Sequence, residues 1–164
     1  MSPVPSAPPY AAAARRRPGP PPAAVRTAFV LWLTAVAAGA FETALMLGRL
    51  AADGEATAGG IAPGLAVRLT VFTVAVLVAV RMRDGAGWAR LVLAVGLGVF
   101  GTASLVAEPL GYLLDGGSVP AALTGADALD AVFGASRVLH LAAVLTAVVL
   151  MFRPAANAYF RRAS

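Results

Sequence analysis

Glu42, Arg68, Glu108, Arg137 and His140 are ionisable side chains set inside, or at the edge of, long apolar runs, and Arg49 lies just beyond the first run. An ionisable group in hydrocarbon costs roughly 2.5 to 3.5 kcal/mol on insertion scales, so such groups pair with one another or line a hydrated cavity. Depths follow from a helix rise of 1.5 Å per residue, counted from the arginine at the near end of each run. Glu42 and Arg137 come to about 24 Å, Arg68 and His140 to about 20 Å, and Glu108 to about 27 Å. Opposite charges therefore meet at one depth, and a polar cluster of Glu42, Arg68, Arg137 and His140 is expected, with Glu108 and Arg49 at its rim. A carboxylate facing guanidinium groups and an imidazole, the side chain that changes charge near neutral pH, suits a solute or proton site. The same set also suits a plain ion-pair cluster that sets helix register, with Arg49, Arg68 and Arg137 snorkelling to headgroups.

The helical faces lean the same way. At 3.6 residues per turn Glu42 shares its side with Ala35, Ala38 and Gly39, although Leu31, Leu45 and Met46 fall there too. His140 shares its side with Ser136, Ala143 and Ala147, and Arg68 with Gly64, Ala75 and Ala79. Small faces let helices approach closely, so these sides are expected to face the bundle.

The elements that must hold these residues are four apolar spans at about 27–47, 61–80, 91–107 and 131–152, each near the twenty residues that a bilayer core requires. The chain of 164 residues is 59% hydrophobic and only 13% charged, a membrane composition where a soluble domain is nearer a quarter charged. Residues 1–26, with Pro8, Pro9 and Tyr10 and then Arg15, Arg16 and Arg17 among prolines, read as a Pro/Arg-rich tail without helix or sheet. Arg26 marks the inner end of the first span. The stretch from Arg15 through Ala38-Gly39-Ala40 also has the layout of a cleaved signal segment, but the apolar pattern runs on to Leu50 and the basic region is long for one.

Between spans two and three lies a basic corner, Arg81 to Arg90, where Gly85 and Gly87 permit a tight reversal and Trp88 sits at interfacial depth. The third span carries Gly96, Gly98 and Gly101, a close-packing face, and is expected to stop or kink at Glu108-Pro109. Thr124 and Asp127 have the spacing of a capping box before the last helix, and Asp127 and Asp130 read as solvated acids in its first turn. Residues 153–164 read as a short interfacial tail. Arg15, Arg16, Arg17, Arg26, Arg81, Arg83, Arg90, Arg153, Arg161 and Arg162 fall at one end against Asp84 alone, and the other loops are net acidic. By the positive-inside rule the expectation is an all-α, up-down four-helix bundle in the cytoplasmic membrane with both termini inside.

The plan resembles small, mostly uncharacterised four-span membrane proteins of actinobacteria. The resemblance rests on the proline-rich lead-in, the corner from Arg83 through Gly85, Gly87 and Trp88 to Arg90, and the ending from Arg153 through Asn157 and Tyr159 to Arg161. It implies a fold and a compartment and assigns no chemistry. Small multidrug transporters share four spans and a first-span glutamate, an analogy without the long tail or the basic corner.

Several classes are disfavoured. The net charge of +5 is carried at span ends and forms no aromatic-interleaved face for nucleic acid. Cysteine is absent, which removes thiol chemistry, and the single histidine excludes an all-histidine metal site, so no cofactor or metal is expected. No nucleophile has a base at workable spacing, so no enzyme is expected. The leading expectation is an accessory or interaction protein whose bundle anchors it in the lipid bilayer and whose N-terminal tail meets a protein partner. The alternative is a small homo-oligomeric transporter or channel with its charged site at Glu42.

Overall fold

Ala, Leu and Val dominate segments too apolar to leave their backbone groups unpaired in lipid or in a protein core, and a helix satisfies every such group internally. A computed structural model describes residues 19–54 and 57–163; Arg15, Arg16 and Arg17, expected in the Pro/Arg-rich tail, lie outside these. The described chain is helical throughout, with no strand, and four of its helical segments are long and apolar enough to cross a membrane. These are α1 (Ala23–Ala52), α2 (Ala58–Arg83), a continuous rod Gly87–Leu114, and α6 (Ala128–Met151). The rod comprises α3 (Gly87–Val92), a π-helical stretch (Leu93–Gly101) and α4 (Thr102–Leu114), and is followed by the short α5 (Val119–Thr124). The chain ends on α7 (Pro154–Ala163).

Three boundaries differ from expectation. The first helix begins at Ala23, inside the segment read as tail, because Pro22 ends the proline run and supplies the extended residue before the first turn. Thr57 caps α2 by accepting from the Gly60 N–H, so the helix starts earlier than 61 and Pro63 falls inside it. The rod passes through Glu108-Pro109 and runs to Leu114. A proline removes one ladder bond and biases its predecessor away from helix, but apolar residues on both sides continue the helix past it.

The packing seam is α1 against α6, antiparallel. On α1 the buried residues Ala28, Trp32, Ala35, Gly39 and Glu42 recur at alternating spacings of four and three, the pattern that keeps one stripe on a neighbouring helix. They meet Ser136, Ala143, Ala147 and Met151 of α6. The apolar core gathers at one end of this seam, where Trp32, Met82, Leu93, Met151 and Phe160 are almost wholly buried. Trp32 Nε1 donates to Met151 Sδ at 3.4 Å. Elsewhere the bundle turns apolar side chains outward: Val67, Leu69, Leu77, Val95, Val99 and Phe100 are all exposed. Of Gly96, Gly98 and Gly101, only Gly98 marks a close approach to another helix, since an added Cβ would lie 3.1 Å from Val148. Gly96 faces open space and Gly101 only its own helix.

The end that holds the core is also the arginine-rich end. Arg26, Arg81, Arg83, Arg90, Arg153, Arg161 and Arg162 gather there with the exposed Trp88. Here the segment read as a short interfacial tail is a helix. α7 buries Ala156, Tyr159 and Phe160 under the corner between α2 and α3, because its apolar residues at i and i+3/i+4 form one face. Arg90 donates to Asn157 Oδ1 and lies over the Phe152 and Phe160 rings, 5.3 and 4.9 Å from their centroids. Tyr159 donates to the Arg83 carbonyl at 2.9 Å.

Gly85 makes the reversal with φ +97°, and a Cβ there would come 2.7 Å from Ala163. Gly85→Ala is therefore expected to cost about 1–2 kcal/mol in backbone strain and to release α7. Faster tryptic cleavage at Arg161 and Arg162, with the four long helices still protected, is the readout. Burial pushes the Tyr159 phenol up from its ordinary value, with Asp84 adding and Arg83 opposing. A raised value in the folded state means that this group's share of α7 docking is complete below about pH 10 and is lost as pH rises through the raised value. Tyr159→Phe is expected to remove that alkaline loss in the same cleavage assay.

Candidate functional site

Toward the opposite, acidic end the same α1–α6 stripe changes from apolar to polar. Glu42 is 8% exposed, and its Oε1 accepts from Ser136 Oγ at 3.2 Å. His140 Nδ1 stands 3.6 Å from the same oxygen, a separation that suits an ion pair with a protonated imidazole and exceeds a hydrogen bond. That nitrogen is buried and has no hydrogen-bond partner among the described residues. Gly39 lies one turn away, where an added Cβ would meet the Phe72 ring at 3.1 Å and His140 Cε1 at 3.4 Å. The absence of a side chain lets an α2 ring and an α6 imidazole close over α1 beside the carboxylate.

The remaining charges sort into distinct pairs. Arg137 donates to Glu108 Oε2 at 3.1 Å and lies over the Phe133 ring at 4.9 Å. Arg49 holds two acids at once, Asp130 Oδ1 at 2.6 Å and Asp127 Oδ2 at 3.0 Å. Those acids form the capping box of α6: Asp127 accepts from the Asp130 N–H, and Asp130 accepts from the Asp127 N–H. The cap is Asp127 with Asp130, whereas Thr124 turns back to the Pro120 carbonyl. Arg68 reaches only Met46 Sδ, at 3.5 Å, and has no carboxylate partner among the described residues.

These groups line two joined spaces. An inner chamber of about 240 Å³ is bounded by Glu42, Thr43, Phe72, Ser104 and His140. A wider vestibule of about 860 Å³ reaches past Leu45, Val106, Glu108 and Leu141 toward Arg49 and Asp130. Met46, Arg68, Leu105, Phe133 and Arg137 line both and form the neck. At the other end the path is closed by the Trp32, Met82, Met151 and Phe160 core. A mostly apolar recess with a few placed polar groups, open at one end, is the form of a small-molecule site.

No protein-family model, curated protein or solved structure matches this chain. What the site does must therefore follow from its own chemistry.

Of the six residues expected to cluster, Glu42, Arg68, Arg137 and His140 line the chamber together, while Glu108 and Arg49 stand at the vestibule. The pairing within the set differs from a single network. Glu42 is held by Ser136 and His140, Arg137 by Glu108, and Arg49 by the acids read as merely solvated. Asp127 and Asp130 were legible only as solvated acids in the first turn of the last helix, because nothing local tells that the end of α1 stops beside them. Ser136 was placed on the His140 face, but a lone serine carries no signal of which carboxylate it meets. Among the described residues no group of three or more His, Asp or Glu is placed to hold a metal ion.

Proposed function

We propose that this chain is a four-span protein of the cytoplasmic membrane, non-enzymatic and homo-oligomeric, that binds a small solute at Glu42 as the outward-open site of a small transporter. The arginine-rich end with both termini lies in the cytoplasm and the acidic end outside, since arginines beside spans are retained on the cytoplasmic side. The single observation that carries the reading is the buried Glu42 carboxylate at the base of a recess that opens at the acidic end and is closed at the other. A one-sided site deep in a helical bundle is what alternating access requires of each of its two states. The accessory reading depends on the N-terminal tail, most of which lies outside the described residues, and no contact among the described residues speaks for it.

The test is a screen of small cations, amines and organic acids by thermal shift on purified wild-type protein, followed by flux of each hit into proteoliposomes. A solute that stabilises and enters with the wild type, and does neither with Glu42→Gln, supports the proposal. Flux that survives Glu42→Gln unchanged overturns it. Because the chain lacks cysteine, single cysteines at Gly116 and Ser164 report sidedness cleanly with an impermeant maleimide. Labelling of the Ser164 site from outside intact cells contradicts the orientation.

A further inference from the structure

Three arginines stand in the acidic half of the bundle, and two of them are matched by acids: Arg49 by Asp127 and Asp130, and Arg137 by Glu108. Arg68 is not. It sits on α2 at the neck, with a thioether sulfur as its one hydrogen-bond contact. Arg68 is exposed on the bundle surface, so in a membrane its guanidinium is open to the surroundings of the helices, where an anionic group would relieve the cost of leaving it unpaired.

The surroundings say what kind of anion. Beside Arg68 the vestibule carries the apolar residues Leu45, Leu105, Val106, Phe133 and Leu141, a long surface for a hydrocarbon chain, while its charged members Glu108, Arg137, Arg49 and Asp130 are engaged in the ion pairs described above. The opening lies sideways as well as endwise. α2 packs mainly against α1, α3 and the π-helical stretch, and Arg68 of α2 and Leu105 of α4 stand on the wall of the vestibule between their helices. In a four-span protein that side faces the acyl chains of the bilayer. Arginine matches phosphate oxygens with paired N–H donors, and a mostly apolar groove of this size matches a chain.

We infer that Arg68 seats the headgroup phosphate of an anionic phospholipid, which enters between α2 and α4 and lays an acyl chain along the vestibule. This rests on the four-span reading but is independent of what binds at Glu42.

The experiment is native mass spectrometry of the full chain, delipidated in mild detergent and titrated with phosphatidylglycerol, phosphatidylcholine or inorganic phosphate. Phosphatidylglycerol is expected to give a retained one-to-one adduct, weakened roughly tenfold in Arg68→Gln and partly restored in Arg68→Lys, with Arg161→Gln unchanged. Equal retention of both lipids, or indifference to Arg68→Gln, overturns the inference. Displacement of the lipid by millimolar phosphate in an Arg68-dependent manner also overturns it, in favour of a free-anion seat. Should Arg68→Gln fail to fold, a diazirine-bearing phosphatidylglycerol decides on the wild type: labelling of Leu105, Val106 or Leu141 supports the seat, and labelling confined to outward faces such as Val95 and Val99 rejects it. Alkaline carbonate extraction separates the two levels. A stripped protein refutes the four-span reading itself, whereas a membrane-retained protein with Arg68-independent lipid binding refutes only the seat.

Discussion

Trp32→Ala is expected to destabilise the bundle by about 3 kcal/mol, the lower end of the range for truncating a large buried aromatic. Trp32 is 1% exposed, and its neighbours include Met82, Met151 and Phe160, drawn from three other helices. In lipid or detergent the transfer of apolar surface out of water contributes little, because acyl chains solvate a leucine as well as a protein core does. What remains is the cavity and the lost dispersion contacts, hence the lower end. The loss also strands the indole's contact to Met151, though a sulfur acceptor makes that a minor part. Equilibrium unfolding in mixed micelles measures it, with Trp32→Phe expected to retain more than half of the stability that Trp32→Ala loses. A change under about 1 kcal/mol for Trp32→Ala would mean that the arginine-rich end is not the packed core described here.

Glu42→Gln is expected to leave the fold intact while abolishing solute uptake. The amide is isosteric, and its carbonyl can still accept from Ser136, so the α1–α6 seam keeps its hydrogen bond. The negative charge facing His140 is lost, and with it the electrostatic part of any site at the chamber base. A solute at a hundred times its dissociation constant stabilises the wild type by about 2.7 kcal/mol, and that increment is expected to vanish in the variant. The readout is therefore double: unchanged unfolding without solute, and no thermal shift or flux with it. Loss of folding in Glu42→Gln would instead make the residue a structural member of the seam. Taken together, the two variants separate the halves of the molecule, since Trp32 lies in the packed core at one end and Glu42 in the proposed site toward the other.

The sequence by itself determined the four long apolar helices, the reversal at Gly85, and the gathering of arginines at one end of the chain's zigzag. These are local or cumulative properties. Hydrophobic run length needs only neighbours in sequence, and a chain that reverses at each short connection brings alternate ends together. It also singled out Glu42, Arg68, Arg137 and His140, because charge within an apolar run is conspicuous without any knowledge of partners.

Only the tertiary structure decided who meets whom. Pairing across helices depends on the rotation and sliding of one helix along another, and faces that mix Ala and Gly with Leu and Val leave both loosely specified. A shift of one turn along the α1–α6 seam moves an α6 side chain about 5.4 Å, enough to part Glu42 and Arg49 from their present partners. That register gives Arg49 to the α6 cap and Ser136 to Glu42, and leaves Arg68 without an acid. The same holds for α7: its apolar stripe of Ala156, Tyr159 and Phe160 is visible in one dimension, but the surface that it covers exists only once α2 and α3 have turned at the arginine corner.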